Sequence, residues 1–324
     1  MTSPRVRRRR RRPLVLVYHP DGSEAYARLI TVPRGADVTI QVCATEEEAA
    51  AHIGDAEVLY CWKLPPALYG KAGRLRWLQA MGAGAEWALV PDLRRRVVVT
   101  RAPGVFGPWM SEYVIGWCAW VTQRMETYRA AQRERRWRDD VLPERLRGRT
   151  LTLIGIGDIG GEIARVARAV GLHVVGVSRS GRRVPHVDRV HRVWNLHRAL
   201  SAADFVVVVA PLTPATRGLI DARALAAMRP AAWLLNIARG PVVDEAALIE
   251  ALRGHRIAGA ILDVFDTEPL PADHPLWRLD NVVITPHIAG PSTPEEITPI
   301  FNANLARWLA REPLLHVVDR CQGY

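Results

Sequence analysis

Three residues able to carry acid–base and anion chemistry stand at the same kind of place in this 324-residue chain, each just after a short apolar run. Arg239 follows Trp233 to Asn236, Glu268 follows Ile257 to Leu262, and His287 follows Val282 to Ile284. An imidazole titrates near neutrality without special burial, so His287 is the candidate general acid. Glu268 would accept a hydrogen bond from the other ring nitrogen, fixing the tautomer and favouring the protonated ring. Arg239 offers a planar fork that matches a carboxylate and can also polarise a ketone. With a hydride donor alongside, that set would reduce a 2-oxo acid. Each residue alone also reads plainly: a structural loop histidine, a charge at a helix start, a Glu-Pro turn. What favours the chemical reading is all three falling after successive strand ends.

The hydride donor has a natural seat in residues 151–179. Leu151 to Ile154 is an apolar strand, Gly155-Ile156-Gly157-Asp158-Ile159-Gly160 is a G-x-G-x-x-G turn, and Ile163 to Val170 continues as an amphipathic helix. A second strand, His173 to Val177, follows at βαβ spacing. In such a unit Gly155 permits the tight turn, Gly157 lets backbone approach a pyrophosphate, and Gly160 lets helix and strand pack closely. The amide groups at the helix start, from Asp158 and Ile159 on, then face the phosphates. An enzyme that uses NAD usually places an acid at the end of the second strand, to bond the ribose hydroxyl. Here the strand ends in Ser178-Arg179-Ser180-Gly181-Arg182-Arg183, without an acid. Arg179 would pair with a 2′-phosphate, and Ser178 or Ser180 would add hydrogen bonds. The expectation is a preference for NADPH, with NADH as the weaker alternative.

Strand-like runs also occur at Leu14 to Tyr18, Val38 to Val42, Val58 to Cys61, Arg76 to Gln79 and Val97 to Thr100. Helical patterns lie between them, one opening with a capping box of Thr45 and Glu48. Strands alternating with helices predict parallel α/β sheets of the doubly wound kind. The turn Met81 to Glu86 leaves amides of Ala83 and Gly84 available for an anion, although a simple βα turn accounts for it as well. Residues 101–108, rich in Pro and Gly, are the candidate hinge. A long helix is predicted from about Trp109 to Tyr128, with residues 132–137 as its solvated end, anchored by Trp137. Val206 to Val209 is a further strand of the second sheet, and a last helix spans about Pro294 to Ala310.

The net charge of +11 suggests a nucleic-acid partner, but seven arginines lie between Arg5 and Arg12 and without them +4 remains. Nearly all other cations are arginines too, a bias that fits GC-rich coding better than a basic binding surface. Residues 1–13 are therefore expected to be a disordered basic tail, and no nucleic-acid partner is expected. The longest apolar runs, such as Phe205 to Ala210, are strand-length, so no membrane span is expected. Cys43, Cys61, Cys118 and Cys321 show neither paired spacing nor neighbouring histidine ligands. They imply reduced thiols in a cytoplasmic protein and no metal site.

The Gly155 turn, PLTPATRGLI (211–220), NIARGPVVDEAAL (236–248), DVFDTEPL (263–270) and TPHIAG (285–290) together resemble the D-isomer-specific 2-hydroxyacid dehydrogenases. Trp62, the hinge stretch GVFGPWMSEYVIGW and the block YRAAQRERRW further resemble the glyoxylate/hydroxypyruvate reductase A group. The resemblance implies a Rossmann cofactor domain, 104–291, inserted into a flavodoxin-like substrate domain, 14–103 plus 292–324. It implies that Leu212, Thr213 and Ile237 touch the cofactor and that Asp263 reaches its carboxamide. It also implies a homodimer built largely through the cofactor domains. Trp62, with Trp109, would roof a small site for glyoxylate or hydroxypyruvate, unless both are core residues. Amides of Ala83 and Gly84 would meet the substrate carboxylate beside Arg239. The alternative on the same fold is a cofactor-sensing binding protein, as among the corepressors that share it.

Overall fold

The computed structural model describes residues 12–323, and residues 1–11 of the expected 1–13 tail lie outside them. The chain divides into two compact units, one running to Pro103 and resuming at Ser292, the other Gly104–Pro291.

The first unit holds a parallel sheet of β1 (Leu14–Tyr18), β2 (Thr39–Cys43), β3 (Val58–Cys61), β4 (Trp77–Ala80) and β5 (Val98–Thr100), in the order β2-β1-β3-β4-β5. The order reverses at β1, the flavodoxin-like arrangement. Its first two helices are α1 (Ser23–Arg28) and α2 (Glu46–His52). The capping box forms at α2: Thr45 Oγ1 accepts the Glu48 amide at 3.2 Å, and the Glu48 carboxylate accepts the Ala44 amide at 2.7 Å. Those amide hydrogen bonds, to Ala44 and Thr45, hold the Glu48 carboxyl below its usual range.

The second unit opens with α3 (Phe106–Thr122) and α4 (Met125–Arg133). Its sheet comprises β6 (Thr150–Ile154), β7 (His173–Ser178), β8 (Arg189–Arg192), β9 (Phe205–Val208), β10 (Trp233–Asn236), β11 (Gly259–Leu262) and β12 (Val282–Ile284). Helices α5 (Asp158–Ala169), α6 (Leu196–Leu200), α7 (Ala222–Ala227) and α8 (Glu245–Arg253) connect them. The order is β12-β11-β10-β9-β6-β7-β8, all parallel, with its reversal at β6, as in dinucleotide-binding sheets. No helix of the described residues is long and apolar enough to cross a membrane.

Three expectations require correction. The single helix from Trp109 to Tyr128 is two helices, broken at Arg124 in the left-handed region (φ 54°). The break has local causes. Thr122 Oγ1 bonds back to the Cys118 carbonyl at 3.0 Å, while the Thr122 carbonyl accepts the Glu144 amide at 2.7 Å. Arg124 pairs with the same Glu144, so residues 122–124 are held to another segment and the helix ends there. Trp137 is not an anchor, being 91% exposed. The seventh strand, β8, has the sequence Arg-Val-His-Arg, which lacks the apolar character of a strand and is tolerated because it lies at the sheet edge.

Helix α9 (Pro294–Ala310) completes the core of the first unit. Phe301 is fully buried and stacks on Tyr60 at 4.2 Å and on Trp77 at 5.2 Å between ring centroids. Asn304 Nδ2 donates to Gln79 Oε1 at 3.2 Å, which also accepts Thr100 Oγ1 at 2.8 Å, and Trp77 Nε1 donates to Thr100 at 2.7 Å. Those bonds satisfy buried polar groups that would otherwise destabilise the packing. Phe301→Ala should cost about 3–5 kcal/mol by leaving a cavity between two rings. Calorimetric melting of the variant should show the transition of the first unit displaced to lower temperature while that of Gly104–Pro291 stays in place.

Candidate functional site

The carboxyl ends of β10, β11 and β12 are neighbours in the second sheet, and the loop after each carries one of the three candidate side chains, Arg239, Glu268 and His287. After β10, buried Asn236 folds its side chain over the following loop. Its Oδ1 accepts the Ala238 amide at 3.2 Å and its Nδ2 donates to the Arg239 carbonyl at 3.3 Å. Arg239 Nη1 donates to the Ala238 carbonyl at 2.7 Å, directing the guanidinium along its own loop. The next residue is a point of closest approach: a Cβ on Gly240 would lie 2.0 Å from the Phe265 carbonyl carbon. The Arg239 loop therefore abuts the loop that carries Glu268, and any larger residue would drive them apart.

Glu268 and His287 form a pair. His287 Nδ1 lies 2.8 Å from Glu268 Oε2, while Glu268 Oε1 accepts the Phe265 amide at 3.1 Å. The carboxylate is thus fixed on one oxygen by backbone and uses the other on the imidazole, which directs Nε2 away from Glu268. Both side chains are about one-third exposed, so a small molecule has access to the ring. His287 has φ 56°, a left-handed conformation that costs a non-glycine residue roughly 1–3 kcal/mol.

Asp263 holds that conformation in place. Its carboxylate is 1% exposed and accepts Thr285 Oγ1 at 2.6 Å, the Ile288 amide at 2.8 Å and the Ala289 amide at 2.9 Å. Burial pushes the Asp263 carboxyl up, against those hydrogen bonds and the neighbouring His287. Tyr113 from α3 adds a hydrogen bond to Thr285 at 2.7 Å, and burial raises its phenol well above the usual value. Both Asp263 oxygens therefore accept from the loop around His287.

The glycine turn has the geometry of a phosphate cradle. Gly155 has φ 100°, and a Cβ there would lie 2.8 Å from Ala210 backbone atoms, while one on Gly160 would lie 2.3 Å from the Gly155 carbonyl oxygen. Gly157, by contrast, has nothing of the chain within 4 Å of such a Cβ, so its face is open. Helix α5 begins at Asp158, where half-buried Ile159 follows, and the Asp158 carboxylate accepts the Gly104 amide at 2.7 Å. That acid spends its charge on the chain and leaves the following amides to a ligand.

The loop after β7 is self-braced: Ser178 Oγ accepts the Gly181 amide at 3.1 Å and Ser180 Oγ the Arg182 amide at 3.3 Å. Exposed Arg179 lies between them. Arg192 on β8 packs against Gly181 and lies over the Trp194 ring at 4.9 Å, a neighbour to this loop that sequence reasoning missed along with β8 itself. After β9, half-buried Leu212 packs on the core and Thr213 is locked by Thr216, whose Oγ1 accepts the Thr213 amide at 2.8 Å and donates to the Pro211 carbonyl at 2.6 Å. Ile237 is buried. Thr216 and Asn236 were missed for a common reason: a loop brace has no spacing signature.

In the first unit, Trp62 follows β3 and the turn Gly82-Ala83-Gly84 follows β4, the adjacent strand. A Cβ on Gly82 would lie 3.5 Å from the Trp62 ring, so the indole rests against this turn. Trp62 is half-buried, not a core residue, and its ring is tilted against His19 at 6.1 Å. Arg101 Nη1 approaches the Ala83 carbonyl at 3.5 Å.

Comparison with known proteins gives a single family. Residues 116–289 match the model of the D-isomer specific 2-hydroxyacid dehydrogenase NAD binding domain. A glyoxylate reductase of Thermofilum pendens is 35% identical over 256 residues, 76% of this chain and 75% of the relative. A glyoxylate/hydroxypyruvate reductase A of Serratia proteamaculans is 31% identical over 278 residues, 83% of this chain and 88% of the relative. The structure of an NADPH-dependent glyoxylate/hydroxypyruvate reductase from Sinorhizobium meliloti, with NADP and sulfate, superposes with TM-score 0.86 at 30% identity, covering 97% of this chain and 100% of the other. Sheet order, glycine turn and matched sequence agree, and the chain belongs to the D-isomer-specific 2-hydroxyacid dehydrogenases, a family of oxidoreductases.

Proposed function

We propose that this protein reduces a small 2-oxo acid, glyoxylate or hydroxypyruvate, to the D-2-hydroxy acid with NADPH. The observation that carries the reading is the 2.8 Å pair of His287 and Glu268 one strand away from the Arg239 loop. The glycine turn fits a dinucleotide because Gly157 leaves its face open at the start of α5. The bound nicotinamide supplies the hydride. Arg239 binds the substrate carboxylate through its fork and polarises the oxo group. His287 gives its Nε2 proton to the carbonyl oxygen as charge develops there, and Glu268, accepting from Nδ1, keeps the ring turned so that Nε2 faces that oxygen.

The remaining assignments follow from that core. Leu212, Thr213 and Ile237 stand at strand ends along the cofactor's course, and Asp263 acts on the carboxamide side by holding the loop that carries His287. The unit that contains Trp62, Ala83 and Gly84 is the substrate domain, where the indole limits substrate length and the two amides meet the carboxylate. A homodimer through the second unit is supported by its exposed apolar side chains Trp109, Met125, Trp137 and Leu142. The cytoplasm is the setting that suits the four free thiols.

The decisive assay is a panel of oxo acids with both cofactors. Glyoxylate and hydroxypyruvate should be turned over and phenylpyruvate should be the poorest substrate. Cofactor binding without oxidation across the panel would return the protein to the cofactor-sensing alternative.

His287→Ala should lower kcat by ~10²–10⁴-fold, the usual contribution of one general acid, with cofactor affinity unchanged by calorimetry. A near-wild-type rate would remove the imidazole from the reaction.

The wild type should prefer NADPH, because the end of β7 holds Arg179 between two serines and residues 178–183 include no carboxylate to repel a 2′-phosphate. Arg179→Asp should shift the ratio of catalytic efficiencies toward NADH, chiefly through the cofactor KM. Equal efficiency with both cofactors in the wild type would defeat the assignment.

A further inference from the structure

The first unit has a second concave feature, at the other end of its sheet. An open groove of about 620 Å³ is lined by Glu57, Arg74, Arg76, Arg96 and Trp308 among others. Glu57 immediately precedes β3, Arg76 precedes β4, and Arg96 stands two residues before β5, so the groove lies at the amino ends of three adjacent parallel strands. Trp62, Ala83 and Gly84 follow β3 and β4 at the carboxyl ends. Four residues of strand, roughly 13 Å at ~3.3 Å each, separate the two.

Three arginines line the groove against one carboxylate, Glu57. Arg94 and Arg96 both donate to one backbone acceptor, the Gly73 carbonyl, at 2.6 and 3.4 Å. Among the described residues only Arg74 of the four nearby arginines has a carboxylate partner, exposed Asp55 at 3.5 Å. The loop that presents them is anchored from the far end of the chain: Arg320 Nη2 donates to the Val97 carbonyl at 2.9 Å and approaches the Arg94 carbonyl at 3.4 Å. One wall is the half-buried indole of Trp308, which leans on Trp77 with ring centroids 6.4 Å apart. Guanidinium forks pair bidentately with phosphate oxygens, and an indole beside them takes a flat ring by stacking. Glu57 can accept from the amino groups of such a ring.

We propose that this groove binds a nucleotide, with its phosphates on Arg76 and Arg96 and its base against Trp308, at a site separate from the Gly155 turn. The test is calorimetric titration of the full chain with ADP and with pyrophosphate. ADP should also enter the Gly155 turn, so the wild type should show two ADP sites and Arg76→Ser/Arg96→Ser one. Pyrophosphate, which the Gly155 turn can also take, should bind the groove at least about tenfold more weakly in the double variant, the loss expected for even one charge-assisted contact. The same number of ADP sites in both proteins, or equal pyrophosphate affinity at the groove, would overturn the proposal. Both arginines are exposed, so the double variant should melt like the wild type. Trp308→Leu should weaken ADP at the groove and leave pyrophosphate unaffected; unchanged ADP binding would overturn the nucleotide assignment.

Discussion

A carboxylate on Asp263, a residue 1% exposed, holds the loop that carries the candidate imidazole, His287. Burying a charge is costly unless it is hydrogen-bonded, and Asp263 meets that requirement with one hydroxyl and two backbone amides. Hydrogen bonds to a charged group are worth roughly 1.5–3 kcal/mol each, enough to offset the left-handed backbone at His287. The strain and its restraint lie within a few residues of one another. The imidazole is thereby pointed before any ligand arrives, and its partner Glu268 is oriented by the same β11 loop that begins at Asp263.

The same device recurs along the edge of the second sheet. Asn236 clamps the loop after β10, Thr216 the loop after β9, Ser178 the loop after β7. Parallel strands deliver their following loops to one edge, and short polar side chains at each strand end or in the loop itself make those loops stiff. Stiffness matters for hydride transfer, because a small misplacement of reacting atoms is expensive. Gly240 shows how tight the result is: there is no room for a methyl group between the Arg239 loop and Phe265.

Much of this is legible in the sequence. Arg239, Glu268 and His287 were visible because buried parallel strands are continuous apolar runs, and a polar residue just after one stands out. The glycine turn was legible because each glycine answers a separate steric demand. The braces were not, since Asn236 and Thr216 act on neighbours by side-chain geometry that no periodicity encodes. The break at Arg124 was hidden for a related reason: it depends on Glu144, twenty residues away, bonding to the end of α3. Strand β8 escaped because edge strands do not need an apolar face. The anchoring expected of Trp137 failed because an aromatic residue among charges carries no information about what, if anything, covers it.

The position of Phe301 has a consequence for how the chain is made. Its ring completes a stack with Tyr60 and Trp77, residues translated more than two hundred positions earlier. A nascent chain that has emerged as far as Pro291 already contains every strand of the second sheet, yet the first unit still lacks the helix that fills its core. Domains fold as units during synthesis. The order of completion therefore inverts the order of translation: of the two units, the one whose strands are translated first is the later to close. Until then the flat rings of Tyr60 and Trp77 lack the covering surface that Phe301 supplies, and during that interval the growing chain depends on whatever shields them.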